Sequence, residues 1–361
     1  MDTHPTSPVY AHRGSRELNA KLHRELAVVA DGLRGILGDN LQALILGGGY
    51  GRGEGGVITV GGRELLYNDL DLFLVVRNKK RASRTAMEPV LEDSKARLGI
   101  DVDLSRPLSV KDITRWRPEL RWHDLLHGHV VVSGPRDILH RNAPDSVTGP
   151  PAAIEASRLM LNRGAGLLWS LRVMRGLEPA PDADFVRRNH FKALLGIGDA
   201  VLLVHGAYVP SCSDRLEAFE ALEDRNPEVW DLHLGASYRA ALEFRSRPDA
   251  TRSNISEKRL RATAWRWGGG WLHVEAARTA RRWESHDAYA AWRGIRERRQ
   301  HTPRAILRNI VQNATLKQIS GRHPREKLYR SLPSLLGLSR TDPTTWPRRS
   351  AAFLRVWRRF N

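Results

Sequence analysis

The sequence predicts an α+β protein, in which an N-terminal mixed β-sheet flanked by helices is followed by an all-α C-terminal domain. Short apolar runs that end in glycine or polar residues lie within the first 135 residues, whereas segments with apolar residues every three or four positions dominate after the proline-rich stretch at 144–151. The length of 361 residues is sufficient for two domains. We place them at residues 1–148 and 149–361.

The N-terminal domain begins with a helix and continues with strands and helices. Leu18, Leu22 and Leu26 recur at helical spacing, and the run 70–76 is apolar except for Asp71, as a core strand is. The predicted helices are 15–37 and 85–98, and the predicted strands are 41–46, 70–76, 100–104 and 130–132.

The pattern after the proline-rich stretch is helical. The predicted helices are 152–175, 184–205, 214–222, 230–244, 257–284, 286–299 and 304–319. Four prolines at 324, 333, 343 and 347 predict a less regular tail.

The composition excludes several classes of protein. Cys212 is the only cysteine, so the chain has neither a disulfide framework nor a cysteine-based zinc cluster. The N-terminus lacks a basic start followed by an apolar core, and no stretch approaches about 18 uninterrupted apolar residues. We therefore expect a soluble, cytoplasmic protein without a transmembrane segment.

The region between residues 44 and 76 carries a pattern that is typical of a phosphate and metal site. Three glycines at 47–49 follow a strand and let the backbone turn tightly while it presents N–H groups to a phosphate. Asp69 and Asp71 lie two residues apart on the next strand, so both carboxylates point to the same side. Two such oxygen ligands suit Mg²⁺, which recruits substrate phosphates to complete its coordination.

A second pair of carboxylates lies on the third strand. Asp101 and Asp103 share one face of this strand, and its apolar residues share the other. Two metal ions need at least three carboxylates, one of which can also take the proton from an attacking hydroxyl. Asp103, or Asp101 in its place, is the candidate for the third.

These motifs resemble the signature of the nucleotidyltransferase superfamily with the DNA polymerase β-like fold, over about residues 40–135. The residues at its positions are Gly48 and Gly49 for Gly-Ser, Arg52 in the turn, Asp69 and Asp71 for the paired aspartates, and Asp103, or alternatively Asp101, for the third carboxylate. The resemblance implies that the aspartates are catalytic and hold two Mg²⁺ ions, or Mn²⁺, and that Gly48, Gly49 and Arg52 bind the nucleotide. The implied reaction moves a nucleoside monophosphate from an NTP to a hydroxyl of a small molecule, protein or RNA and releases pyrophosphate.

The chain departs from this signature at two points. Gly49 replaces the usual serine, whose hydroxyl would touch the triphosphate, and 19 residues separate Gly49 from Asp69. We expect residues 55–67 to form a β-hairpin that turns at Gly61 and Gly62 and lengthens the loop without moving the strands.

Two other motifs have weaker interpretations. Glycines at 51, 53 and 56 fit a dinucleotide-binding spacing, but a strand-like segment follows them where that motif needs a helix. His123, His127 and His129 raise the alternative of a zinc site. No cysteine accompanies them, and we favour a helix that ends at Gly128 with histidines near its negative end.

In the superfamily that the sequence resembles, a helical domain follows the catalytic one. Asn189, Lys192, Gly196 and Asp199 form one stripe of the predicted helix 184–205. Lys192 can supply a point charge to the triphosphate, or it can be an ordinary exposed lysine. We include it among the candidate nucleotide-binding residues.

The net charge of +18 belongs to the C-terminal end. Residues 251–361 contain 25 Lys and Arg against 7 Asp and Glu, together with seven of the eleven tryptophans. Arginine with aromatic residues is typical of RNA or DNA binding, so such a contact is one interpretation of this segment. An anionic membrane surface and a solvated basic surface are the others. The alternative function is therefore binding of nucleic acid or of an anionic surface, with a non-catalytic nucleotidyltransferase-like domain.

Overall fold

The computed structural model describes residues 8–250, 254–294, 302–316, 320–339 and 342–360. These residues form an α+β protein with a small mixed sheet, a two-stranded ribbon and many helices. The strands are β1 (Leu41–Leu46), β2 (Val57–Val60), β3 (Arg63–Leu66), β4 (Leu70–Val76), β5 (Val102–Leu104) and β6 (Val130–Ser133).

The helices of the first 150 residues are mostly short, and those that follow are mostly long. The first group is α1 (Arg16–Leu37), α2 (Gly48–Gly51), α3 (Arg84–Leu98), α4 (Val110–Ile113), α5 (Leu120–His127), α6 (Ile138–Asn142) and α7 (Asp145–Thr148). The second group is α8 (Ile154–Met174), α9 (Phe185–Val204), α10 (Cys212–Arg225), α11 (Pro227–Trp230), α12 (Gly235–Ser246), α13 (Glu257–Thr279), α14 (His286–Ala291), α15 (Pro303–Ala314), α16 (Pro324–Leu335) and α17 (Trp346–Phe360).

The four-stranded sheet has the order β5-β4-β1-β6. β1 pairs antiparallel with β4 and β6, and β4 pairs parallel with β5. Leu44 and Leu46 of β1 pack on the face that α1 and α3 cover, whereas Ala43 and Ile45 pack on the opposite face. Because residues 43–46 of β1 are buried on both faces of the sheet, this part of the strand is apolar throughout rather than alternating.

The insertion between the glycine-rich turn and β4 is the predicted hairpin. β2 and β3 pair antiparallel, with Val60 opposite Arg63. Gly61 and Gly62 form the turn with φ angles of 56° and 77°. Both angles are positive, as a two-residue type I′ turn requires, and glycine adopts them without steric strain.

The chain divides into two compact units. The first holds the residues up to Ala152, the segment Val209–Leu216 and a segment that begins at Leu242. The second holds Ala153–Tyr208, Glu217–Ala241 and the described residues after position 253. The prediction of two consecutive domains did not include the return of two later segments to the first unit.

Helices α8, α9 and α13 pack against one another in the second unit. A Cβ at Gly166 of α8 would overlap Asn189 of α9, so glycine lets these two helices approach closely. Trp267 of α13 is fully buried and donates its indole N–H to the C=O of Met160 on α8 at 2.9 Å.

The second half departs from the predicted elements in two places. The predicted helix 230–244 begins later, at Gly235 of α12, because the short α11 ends at Trp230 and His233 has a positive φ of 49° between the two helices. The tail is more regular than predicted, since Pro324 occupies the first turn of α16, where a missing N–H leaves no hydrogen bond unmade. The predicted helices 286–299 and 304–319 appear as α14 and α15, and both predictions extend into positions outside the described residues.

Within the described ranges, no helix combines the length and apolar character that a bilayer span needs.

Candidate active site

Asp71 and Asp103 lie side by side on neighbouring parallel strands. The pairing register of β4 and β5 sets Asp71 opposite Asp103 and the buried Leu72 opposite Leu104. Because side chains alternate between the faces of a strand, both carboxylates point to the same face of the sheet. Asp69 is exposed and comes directly before β4, two residues from Asp71.

The three aspartates are close enough to repel one another. Burial raises the pKa of the Asp71 carboxyl to about 6, and the charges of Asp69 and Asp103 contribute to the shift. Burial also raises the pKa of Asp103, with contributions from Asp69 and Asp101. A bound cation would relieve this repulsion, and shifts of this kind are typical of reaction sites.

Asp101, the alternative third carboxylate, has a partner elsewhere. Its carboxylate forms an exposed ion pair with Lys95 of α3, with 2.7 Å between Oδ1 and Nζ. Its backbone C=O accepts a 2.9 Å hydrogen bond from the N–H of Leu70. The strand register therefore favours Asp103 over Asp101 as the partner of Asp71, and the catalytic assignment of either residue stays a prediction.

The glycine-rich turn lies directly against Asp71. Gly47 donates its N–H to the backbone C=O of Asp71 at 2.8 Å. Gly48 has a φ of 62°, and a Cβ at this position would overlap Oδ2 of Asp71. Glycine is therefore required at position 48 both by the backbone conformation and by the carboxylate beside it.

Arg245 approaches the same turn and was not identified in the sequence analysis. Its Nη2 lies 3.5 Å from the position that a Cβ of Gly49 would occupy. Its positive charge partly offsets the burial that raises the pKa of Asp71. Arg245 belongs to the segment of the first unit that begins at Leu242. No local motif distinguishes it from the other arginines, so only the tertiary structure could reveal it.

Arg52 and Glu54 form a buried ion pair behind the turn. Nε of Arg52 lies 3.1 Å from Oε2 of Glu54, and each side chain is only 9% exposed. Glu54 also accepts a hydrogen bond from the N–H of Cys212, at the start of α10. Burial alone would raise the pKa of Glu54, but Arg52 and the Cys212 N–H outweigh it and hold this pKa below its usual range. The predicted contact of Arg52 with nucleotide phosphates stays a prediction, because its guanidinium already has a partner within the protein.

A polar cavity of about 430 Å³ lies beside α2. Arg52 and Ser211 are part of its wall. Four histidines also line it: His12, His127, His129 and His140. Burial lowers the pKa of His129, and the neighbouring His140 lowers this pKa further.

His123 and His127 lie on α5, and His129 follows directly after the glycine that ends it. Nδ1 of His127 donates to the C=O of His123 at 2.9 Å, and α5 ends before Gly128 as expected. Among the residues that the structure describes, no three or more His, Cys, Asp or Glu side chains gather closely enough to hold a metal ion. The zinc alternative therefore finds no support there.

The three aspartates do not form a complete metal site without a substrate. In the described part of the chain, Asp69, Asp71 and Asp103 do not enclose a metal ion by themselves. Mg²⁺ commonly takes only one or two protein carboxylates and completes its octahedron with waters and substrate phosphates. The carboxylate oxygens of Asp71 and Asp103, which share one face, fit an ion that is held in this way.

Lys192 lies in the second unit, exposed on α9, and its assignment to the nucleotide stays a prediction. Other members of its stripe have packing roles. A Cβ at Gly196 would overlap Arg163 of α8, and Asn189 fills the space above Gly166. The carboxylate of Asp199 accepts a 2.6 Å hydrogen bond from the hydroxyl of Tyr238.

Comparison with known proteins gives a sparse result. No protein-family model matches the chain, and no curated protein matches it. Among solved structures, the chain is similar to a spectinomycin adenyltransferase from Enterococcus faecialis, crystallised with ATP and spectinomycin. The two chains share 15% identity with a TM-score of 0.35, and the match covers 68% of this chain and 98% of that one.

Proposed function

We propose that this protein is a Mg²⁺-dependent nucleotidyltransferase, which transfers a nucleoside monophosphate from an NTP to an acceptor hydroxyl and releases pyrophosphate. One observation carries the proposal: Asp71 and Asp103 face each other on neighbouring parallel strands, and Gly48 lies against the Asp71 carboxylate. Paired carboxylates beside a backbone turn are what a metal-bound phosphate needs. Core packing gives no reason for two carboxylates at this position.

The aspartates have separate tasks in this proposal. Asp69 and Asp71 would hold Mg²⁺, or Mn²⁺ in its place, and Asp103 would complete the site on the acceptor side. When bound, the metal ions would neutralise phosphate charge and lower the pKa of the acceptor hydroxyl. Asp103 would also take the proton of that hydroxyl, because the strand register sets it beside Asp71 at the proposed reaction site.

The transfer itself is a displacement at phosphorus. The acceptor oxygen forms a bond to the α-phosphorus while the bond from that phosphorus to the oxygen bridging to the β-phosphate breaks. The β- and γ-phosphates leave as pyrophosphate, and we assign their binding to the turn at Gly48 and Gly49. Arg52 holds this turn through Glu54.

The test is an assay of pyrophosphate release by the purified full chain. Each of the NTPs is supplied with Mg²⁺ and with one of three acceptor classes: small polyhydroxylated molecules, proteins including this one, and RNA. Chelation of Mg²⁺ should abolish the release. Asp71→Asn and Asp103→Asn should each lower the rate by at least about 100-fold, because each removes a ligand that acts on the reacting phosphate.

Asp101→Asn is the matched control. It removes one carboxylate from the same strand, but this carboxylate is exposed and paired with Lys95. We expect Asp101→Asn to release pyrophosphate at a rate within about threefold of the wild type, because an exposed ion pair contributes little to stability. A wild-type rate in Asp71→Asn, or no release with any acceptor class, would contradict the proposed function.

A further inference from the structure

Arg245 is a charged side chain at the glycine-rich turn that the proposed chemistry has not yet used. Its Nη2 lies 3.5 Å from the place of a Cβ at Gly49. The other atoms nearest that place are the Glu54 C=O at 3.4 Å and Cα of Gly55 at 3.7 Å. The guanidinium therefore lies directly beside the backbone that we assign to the departing phosphates.

The hydrogen-bonding groups of Arg245 are not all satisfied. Its Nε is buried, and in the described ranges of the chain it has no hydrogen-bond partner. A buried donor without a partner costs free energy, and natural proteins seldom retain one without a reason. Nη2 of the same guanidinium lies next to the turn, so acceptor oxygens of a ligand at Gly49 would meet this atom.

The surroundings of Arg245 identify the class of that ligand. The guanidinium is a planar fork of donors that matches phosphate oxygens two at a time. Its charge acts on both Asp71 and Glu54, whose pKa values it lowers. Glu54 is already engaged by Arg52 and Cys212. The positive charge lies at the turn itself, where the end of a triphosphate has to be neutralised.

We propose that Arg245 binds the β- and γ-phosphates of the NTP at Gly49, and so supplies from a distant segment a contact that the glycine itself cannot make. The inference rests on the proposed function for the identity of the ligand. It goes beyond that function by assigning a triphosphate-binding residue that lies outside the sequence motif. A guanidinium that only balances the charge of Asp71 and Glu54 is the competing explanation.

The experiment measures binding without catalysis. Isothermal titration with inorganic tripolyphosphate and Mg²⁺ compares the wild type with Arg245→Met. The matched control is Arg247→Met, which removes the same charge from an exposed position two residues away. We expect Arg245→Met to weaken tripolyphosphate binding by at least about tenfold and Arg247→Met by less than about twofold, because a forked contact is lost only in the former.

The outcomes separate this inference from the proposed function. Wild-type affinity for tripolyphosphate in folded Arg245→Met overturns the inference and favours simple charge balance. If Arg245→Met does not fold, Arg245→Lys takes its place. Lysine keeps the positive charge but not the forked donors of the guanidinium, so we expect Arg245→Lys to weaken tripolyphosphate binding by at least about threefold. Wild-type affinity in Arg245→Lys overturns the inference. If tripolyphosphate binding depends on Arg245 but no pyrophosphate is released, the phosphate site is supported and the proposed nucleotidyltransferase activity is contradicted.

Discussion

Burial and two neighbouring carboxylates raise the pKa of Asp71 from 3.8 to about 6. A carboxyl whose pKa is higher in the folded than in the unfolded protein stabilises the fold below its unfolded pKa, and this stability is lost as the pH rises through the folded pKa. We therefore predict that metal-free Asp71→Asn is more stable than the wild type at about pH 8, by up to about 3 kcal/mol. This advantage should shrink as the pH falls from about 6 towards 4. Urea unfolding of both proteins at a series of pH values measures this difference in stability.

Mg²⁺ should reverse this difference, because a ligand that binds only the folded state stabilises it. The wild type should gain stability on addition of Mg²⁺, whereas Asp71→Asn should gain little. Asp101→Asn provides the control, since its exposed carboxylate pairs with Lys95 and should respond to Mg²⁺ as the wild type does. Lower stability of Asp71→Asn at about pH 8 without metal would show that the carboxylate has a structural rather than a ligand-binding role.

Gly48 allows a second test of the same carboxylate. Gly48→Ala places a Cβ on Oδ2 of Asp71 and a methyl group on a backbone with φ of 62°. We expect it to lower the rate of pyrophosphate release by at least about 100-fold and the stability by about 1–3 kcal/mol.

Gly49→Ala is the matched control for Gly48→Ala. The nearest atom to a Cβ at position 49 is 3.4 Å away, which is an ordinary contact. Its stability should stay within about 1 kcal/mol of the wild type. Equal effects of the two substitutions on stability would mean that the overlap with Asp71 is not the cause.

The paired aspartates and the glycines could be predicted from the sequence, because strand alternation and backbone conformation depend on local residues. Asp71 interrupts an apolar strand, and Gly48 stands where only glycine fits. Arg245 could not be predicted, since its position at the turn depends on contacts formed by a segment far away in the chain. The engagement of Arg52 by Glu54 was also missed, although the two residues lie close in sequence, because the burial that makes the pair strong is tertiary.

At the scale of elements, Glu54 joins the turn after β1 to the beginning of α10. It pairs with Arg52 and accepts from the N–H of Cys212. Glu54→Gln breaks the buried pair with Arg52, which we expect to cost about 3 kcal/mol of unfolding free energy. This is the lower end of the range for a broken buried pair, because the charge of Asp124 still acts on Arg52. Urea denaturation monitored by circular dichroism measures the change.

Glu88→Gln is the control for Glu54→Gln. It breaks the pair with Arg84 on α3, in which both side chains are about half exposed. Such surface pairs contribute less than about 1 kcal/mol. A loss in Glu54→Gln no larger than this would show that the buried pair does not hold the turn.

Elements with a strong local signal were predicted well. The strand 41–46, the strand 70–76 and the hairpin with its glycine turn are present as expected, because apolar runs and turn residues define them. The interruption between α11 and α12 and the regular tail were missed. Both depend on capping and packing, since Asn226 caps α11 and buried Trp346 of α17 donates its indole N–H to Leu335 of α16.

At the scale of the whole molecule, the basic C-terminal segment is largely part of the folded second unit. Trp267 and Trp271 are fully buried and stack on each other, and Trp346 is 7% exposed. Arg358 lies over the ring of Trp169 and pairs with Glu178. Trp267, Trp271 and Trp346 are therefore not available to stack on bases, and the nucleic-acid interpretation stays a prediction for the rest of the segment. Trp265 is 75% exposed, and Trp283, Trp292 and Trp357 are half-buried.

Removal of residues 251–361 should therefore unfold the second unit rather than delete a separate binding surface. The single-residue version of this prediction compares two tryptophans on α13. Trp267→Ala should lower stability by about 3–5 kcal/mol, because it opens a cavity and leaves the C=O of Met160 without its indole donor. Trp265→Ala should change stability by less than about 0.5 kcal/mol, as is usual for an exposed position. Thermal unfolding of both variants measures this difference. Salt-dependent RNA binding that is lost in Trp265→Ala would support the nucleic-acid interpretation.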